Sequence, residues 1–203
     1  MKARIERAVT ILLFAVLAVT VTAQAATPSE KTIAFDPQNT KVEFTLGDVL
    51  HTVRGTFKLK SGIIRFDPAN GAATGALVVD ATSGNSGNSS RDKKMNRDIL
   101  QNGEYPEIVF TPQRVTGNMP ATGQSEVKVD GTFRLHGADH PLTLSVPITI
   151  NGDQITASTS FTVPYQAWGL RNPSTLFLRV SNKVDISINA TGHVTTEQAS
   201  ARK

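Results

Sequence analysis

Apolar and polar positions alternate with period two along most of the chain. Val42, Phe44 and Leu46 form one such set, and Val53, Gly55, Phe57 and Leu59 another. Leu77, Val79 and Ala81 follow, then Val127, Val129, Gly131, Phe133 and Leu135, then Leu142, Leu144, Val146, Ile148 and Ile150. The last sets are Ile155, Ala157, Phe161 and Val163, and Val184, Ile186, Ile188 and Ala190. Each describes a strand with one apolar face. Turn chemistry separates them at Asp67-Pro68-Ala69-Asn70-Gly71, Gly137-Ala138-Asp139 and Asn151-Gly152-Asp153, and the last contains the Asn-Gly hairpin signal. Short connections imply antiparallel neighbours. Eight or more such strands must either stack as two sheets or close into a barrel. An echo, Gly55-Thr56-Phe57-Lys58-Leu59 and Gly131-Thr132-Phe133-Arg134-Leu135, twice places a glycine two residues before an inward Phe. Glycines so placed suit the bends of a barrel wall, and ordinary strand composition would also account for them.

One segment breaks the alternation. Residues 89–103 open with Ser89 and Ser90, space Met95 and Ile99 four apart and end in Asn102-Gly103, which predicts a short helix with a narrow apolar stripe. It follows the Gly/Ser/Asn-rich run 83–88 and is expected to sit as a flap over one end of the sheet. Upstream, residues 1–25 combine a basic start, an apolar run from Ala8 to Val21 and the small-x-small pattern of Ala23 and Ala25, a signal peptide expected to be cleaved after Ala25. Fourteen helical residues rise about 21 Å, short of a hydrocarbon core about 30 Å thick, so an uncleaved anchor is the weaker reading. The rest, 26–203, reads as a single domain with a core at about 35–192, polar ends at 26–32 and 194–203 that look frayed, and no membrane span after cleavage.

The net charge of +4 changes the picture once it is placed. Lys2, Arg4 and Arg7 against Glu6 put +2 of it in the leader and leave +2 for the remainder, too little for a dedicated nucleic-acid binder. With no Cys there is no thiol nucleophile, acyl anchor or disulfide, and a periplasmic or secreted protein is expected. Gly84-Asn85-Ser86-Gly87 lacks the spacing of a nucleophile elbow, and neither a phosphate loop nor a dinucleotide fingerprint is present. His136, Asp139 and His140 are the best metal candidates, but they flank a predicted hairpin turn rather than lying on a helix, so a solvated turn is the better reading. The isolated His51 and His193 read as surface or strand-end residues. No enzyme activity, metal or cofactor is expected. Arg91, Lys93, Lys94 and Arg97 form a basic cluster interleaved with Asp92 and Asp98. It reads either as a solvated helix face with local ion pairs, or as a site where Arg91 and the helix start approach an anionic headgroup. Trp168, the only Trp, lies in a loop-like stretch with Tyr165 and Arg171, where it either closes the end of the fold or meets a ligand.

An ordered series of motifs carries a resemblance. Phe35-Asp36-Pro37 precedes Val42-Glu43-Phe44, then come Val53-Arg54-Gly55-Thr56-Phe57 and Gly62-Ile63-Ile64-Arg65-Phe66-Asp67-Pro68, and Ser90-Arg91-Asp92 precedes Met95. Tyr105-Pro106-Glu107-Ile108-Val109-Phe110, Gly131-Thr132-Phe133-Arg134-Leu135-His136-Gly137 and Val184-Asp185-Ile186-Ser187-Ile188 complete it. Over residues 35–192 the chain resembles the YceI-like polyisoprenoid-binding proteins. The resemblance implies an all-β fold, an antiparallel lipocalin-like β-barrel of about eight strands with one short inserted helix. It also implies an elongated apolar cavity that holds an isoprenoid-type lipid, a polyprenyl chain or an isoprenoid quinone, for carriage or sequestration. Period two then selects Phe44, Phe57, Leu77, Val79, Ile108, Phe110, Phe133, Leu144 and Phe161 as cavity lining, with Arg91 near the headgroup and Trp168 at the mouth. The rival reading is a filled barrel or sandwich without ligand that binds a partner protein through the 83–104 flap and the Trp168 loop. A homodimer is left open by both.

Overall fold

A computed structural model describes residues 29–47, 52–174 and 179–198; the leader assigned to 1–25 and its cleavage site lie outside them. The described chain is an antiparallel meander. Its strands are β1 (Ser29–Phe35), β2 (Lys41–Gly47), β3 (Thr52–Phe66), β4 (Ala73–Asn85), β5 (Glu107–Gly117), β6 (Gly123–Leu135), β7 (Ala138–Asn151), β8 (Gln154–Val163) and β9 (Val184–Gln198). Consecutive strands from β3 to β9 pair in chain order, and the ends of the series are joined through β1 and β2. Both of those strands lie between β3 and β9. β1 pairs with the second half of β3 (Lys31↔Phe66) and the end of β9 (Phe35↔Gly192), whereas β2 pairs with the first half of each (Phe44↔Gly55 and Phe44↔Ile186). The two are one wall position interrupted at residues 36–40, so the sheet closes as an eight-stranded barrel. Closure decides between the two architectures that periodicity left open.

The interruption has a local cause. Asp36 accepts from the Gln38 N–H (2.8 Å) and from Asn39 Nδ2 (2.5 Å), and Pro37 has no N–H to give to the ladder. The same Phe-Asp-Pro-x-Asn unit recurs after β3, where Asp67 accepts from the Ala69 N–H (2.8 Å) and Asn70 Nδ2 (2.8 Å) and turns the chain towards β4.

The inward faces supply the core: Val127, Val129, Phe133 and Leu135 of β6, Leu144, Ile148 and Ile150 of β7, and Ile155 and Val163 of β8. Register shifts in β3 and β5 flip the parity. Phe57 and Leu59 point inward, yet after the shift at Leu59/Ser61 the inward residues are Ile64 and Phe66; β5 shifts likewise between Pro112 and Arg114.

Three expectations need correction. The ends thought frayed are paired, Ser29 with Gln198 through Phe35 with Gly192. The backbone ladder carries them without an apolar alternation. The first hairpin turns at His136-Gly137, both with positive φ (52° and 76°), and Ala138 and Asp139 already belong to β7. In the second, the central pair is Gly152-Asp153, one residue beyond the Asn-Gly pair, with the left-handed φ of 64° at Gly152.

The predicted helix exists but is shorter. Helix α1 (Ser89–Lys94) is capped by Asn88, whose side chain accepts from the Arg91 N–H (3.0 Å), and it runs into a π-helical turn, Met95–Ile99. Gln101, with φ of 47°, ends it before the expected Gly103. Among the described residues no helix is long and apolar enough to cross a membrane.

Candidate functional site: a two-chamber apolar cavity

Inside the barrel lie two adjoining chambers. The inner one has a volume of about 130 Å³ and is walled by residues from every strand, including Val42, Leu59, Phe66, Leu77, Phe110 and Leu144. Among the described residues, Ser158 and Thr159 are its only polar lining. The outer one, at the end covered by α1, measures about 490 Å³ and is lined by Phe44, Phe57, Met95, Leu100, Tyr165 and Leu170, among others. Ile108 and Phe133 border both, so the chambers share a wall and lie side by side along the barrel interior. The outer chamber falls within the roughly 300–1,000 Å³ usual for small-ligand sites, and the inner one is narrower.

Glycines shape this hollow. A Cβ at Gly55 would stand 2.5 Å from the Phe44 ring, and one at Gly131 would stand 2.7 Å from the Phe110 ring. Each glycine lets a Phe from the neighbouring strand lie flat against the wall, which is the physical content of the Gly55/Gly131 echo. Gly84 similarly makes room for the Met95 Cε (2.5 Å) and Phe57, seating the flap.

Ten of the eleven selected residues line the hollow. Leu77, Val79, Phe110, Leu144 and Phe161 face the inner chamber, Phe44, Phe57 and Arg91 the outer, and Ile108 and Phe133 both. Trp168 lines neither. Its indole stacks on His140 (centroids 3.9 Å apart, planes at 5°) and tilts against Phe133 (5.9 Å). The selection missed further residues, two sets of them in the outer chamber. Val53, Leu46, Val184 and Ile186 share faces already recognised by period two, so the signal was present. Tyr165, Leu170 and Pro173 enter from an irregular loop whose inward turn has no period to reveal it.

Among the described residues, Ser86, Ser90, Arg91 and Lys94 make the flap side of the outer chamber polar, and none of the described lining residues is acidic. Arg91 is held in place: its Nε donates to Ser86 Oγ and its Nη2 to the Ser86 carbonyl, both at 2.8 Å. Asp92 fixes the other side of the same serine, accepting from the Ser86 N–H (2.9 Å) and hydroxyl (2.5 Å). The rest of the basic cluster divides. Arg97 forms a two-point pair with Asp98 (2.6 and 3.0 Å), which holds the Asp98 carboxyl below its ordinary range and raises the guanidinium, while Arg91 and Lys94 face the chamber. Opposite, the buried Tyr165 donates its hydroxyl to the Ser181 carbonyl (2.5 Å), and burial raises its pKa.

The metal candidates are dispersed by the hairpin. Asp139 takes both oxygens to Arg134 (2.7 and 3.0 Å), and that pairing lowers its pKa. His136 Nε2 meets Gln101 Oε1 at 2.6 Å and its ring packs on Tyr105, while His140 faces Trp168. Among the described residues no three His, Asp or Glu side chains converge on a metal position.

An eight-stranded antiparallel barrel with a helix-covered apolar cavity and basic residues on the flap side defines a class, the closed β-barrels with an internal cavity. A family model for the YceI-like domain matches residues 34–192, and the chain belongs to that family. The chain spans about half the length of the curated relatives it matches. UPF0312 proteins of Vibrio cholerae serotype O1 are 30% identical over 95 residues, 46% of this chain and 48% of theirs. Among solved structures it is similar to BcnA of Burkholderia cenocepacia (TM-score 0.63, 18% identity, 77% of this chain and 98% of that one). It is also similar to a polyisoprenoid binding domain from Saccharophagus degradans implicated in plant cell wall breakdown (TM-score 0.60, 16% identity, 80% and 98%). The Campylobacter jejuni YCEI protein aligns over 71% of this chain and 86% of its own (TM-score 0.55, 21% identity). At these identities the likeness is one of fold.

Proposed function

We propose that this protein is an exported, non-enzymatic carrier or sequestering protein for an isoprenoid-type lipid, held with its apolar chain along the hollow and its polar end at the Arg91 rim. The observation that carries this reading is the shape and lining of the cavity: a narrow, almost wholly apolar inner chamber adjoins a wider one whose described lining carries Arg91 and Lys94 on the flap side. Burial of an apolar chain is worth about 25 cal/mol per Å², so a slender tail of several isoprene units gains most of its affinity without directional contacts. Arg91 and Lys94 then favour a headgroup with acceptor oxygens. The polyisoprenoid binding domain of the Saccharophagus degradans relative supports the ligand class, and the leader at 1–25 supports export. Phe44, Phe57, Leu77, Val79, Ile108, Phe110, Phe133, Leu144 and Phe161 would contact the chain.

Val129 lines the inner chamber and is buried, which makes a filling substitution a direct test. Titration with a fluorescent geranylgeranyl probe should saturate at one probe per protein, and V129F should weaken binding at least about tenfold while the thermal midpoint stays near that of the parent. Absence of saturable binding by the parent protein, or unchanged affinity in V129F, would overturn the reading.

A further inference from the structure

The barrel wall is not uniformly laddered. β7 and β8 pair only from Ile148↔Ala157 to Asn151↔Gln154, although β7 begins at Ala138 and β8 continues to Val163. Their other neighbours pair throughout: β6 meets β7 from Ala138 to Ile150, and β8 meets β9 over its whole length.

The sequence states why the ladder stops. In a hairpin closed by Asn151 and Gln154, the odd-numbered residues of β7 direct their backbone groups to β8 and the even-numbered ones to β6. Pro147 is the next odd position beyond Thr149, and it has no N–H to offer Ser158; Pro141 repeats the omission nearer the covered end. Both prolines thus fall on the β8 side, where they cost the β6 ladder nothing. The Ser145 carbonyl, turned the same way, accepts instead from the side chain of Thr159 (2.9 Å).

The seam reaches the hollow. By strand parity Ser158 belongs to the outer face, between inward Ala157 and Thr159, yet it lines the inner chamber with them. Leu142, Val146, Ala157 and Phe161, which flank the seam and line the chamber, are half-buried, with Leu144 buried among them. At the covered end, Trp168 from the loop after β8 stacks on His140 of β7 and tilts against Phe133, whose other side meets Phe161 (5.7 Å). His140 Nε2 is buried there without a hydrogen-bond partner, so parting the stack returns a dehydrated nitrogen to water, and opening is opposed by aromatic packing and the Thr159–Ser145 bond.

We infer that the β7–β8 seam is a lateral portal, gated by the Trp168–His140 stack, through which the apolar chain of the ligand passes sideways into the inner chamber. This rests on the lipid-binding reading above. It removes the need to thread a long chain end-on past the flap, and it gives Trp168 a task outside the cavity lining.

The chain has no cysteine, so S160C and S89C can each be labelled singly with a bulky maleimide, one at the seam and one at the flap, at exposed positions outside the lining of the hollow. A fluorescent geranylgeranyl probe delivered from phosphatidylcholine vesicles reports the uptake rate. The label at position 160 is expected to slow uptake at least about tenfold and the label at position 89 less than about threefold, with affinity little changed in both. P147T, which restores an N–H opposite Ser158, should also slow uptake and protect seam amides from exchange. Slowing by the position 89 label alone, or unchanged uptake in both the position 160 adduct and P147T, overturns the portal while leaving lipid binding intact. Failure of the unlabelled parent to take up probe overturns the function and the portal with it.

Discussion

Gly131 and Phe110 work as a pair across β5 and β6, and the pair fixes where the cavity wall lies. A methyl at position 131 would stand 2.5 Å from the Thr111 carbonyl and 2.7 Å from the Phe110 ring, so the ring or the strand must move. Gly131→Ala should therefore lower stability by about 1–3 kcal/mol, read by denaturant titration, and shift the ring into the hollow. The exposed carboxylates act at the same scale. Asp139 titrates low because Arg134 donates to it, Asp98 because Arg97 does, and Asp36 because the Gln38 N–H and Asn39 amide do. A folded-state pKa below the unfolded value of about 3.9 gives stability that is present above that pH and is lost as pH falls through the folded value. The thermal midpoint should accordingly drop below about pH 4, and Asp139→Asn should flatten that limb; parallel profiles would show that the Arg134 pair contributes nothing. Of these residues the sequence made the inward Phe set legible, since period two needs only local parity. Trp168 was not legible, because its partner His140 lies on another strand and only the fold brings the rings together.

Strands read well and their interruptions did not. Every alternating set from Val42 to Ala190 lies in an observed strand, because one buried face imposes the pattern. The shifts at Leu59/Ser61 and Pro112/Arg114 invert parity without any composition signal, so Ile64 and Phe66 were left out of the lining. The flap shows the same division. Its position and Met95–Ile99 stripe were visible, while the cap moved one residue upstream to Asn88 and the end came early at Gln101. Helix α1 has no buried residue, so its seating depends on the Asn88 cap and the Ser86 anchors of Arg91 and Asp92. Asn88→Ala should loosen the flap by about 1 kcal/mol, measured as faster amide exchange at Arg91, with global unfolding little changed. Exchange unaltered at Arg91 would show that the cap does not hold the flap.

At the scale of the molecule, closure is what turns a set of half-apolar strands into a container. Pairing of residues 29–35 with 192–198 brings both ends of the described chain into the wall, and the insertion at 36–40 lets β1 and β2 share one position. Neither was visible in a polar N-terminal stretch, since long-range pairing is written in no local period. An eight-stranded barrel can fill itself with side chains or hold a slender ligand, and here about 490 Å³ remains open at the covered end. That space separates a carrier from a filled module that binds a partner protein. Native mass spectrometry of the full-length protein purified from its expression host, followed by organic extraction, tests the difference most directly. A carrier should show a mass above the polypeptide that resolves on extraction into a polyprenyl or isoprenoid-quinone species; a clean polypeptide mass that stays unchanged after incubation with such lipids would identify the filled module instead.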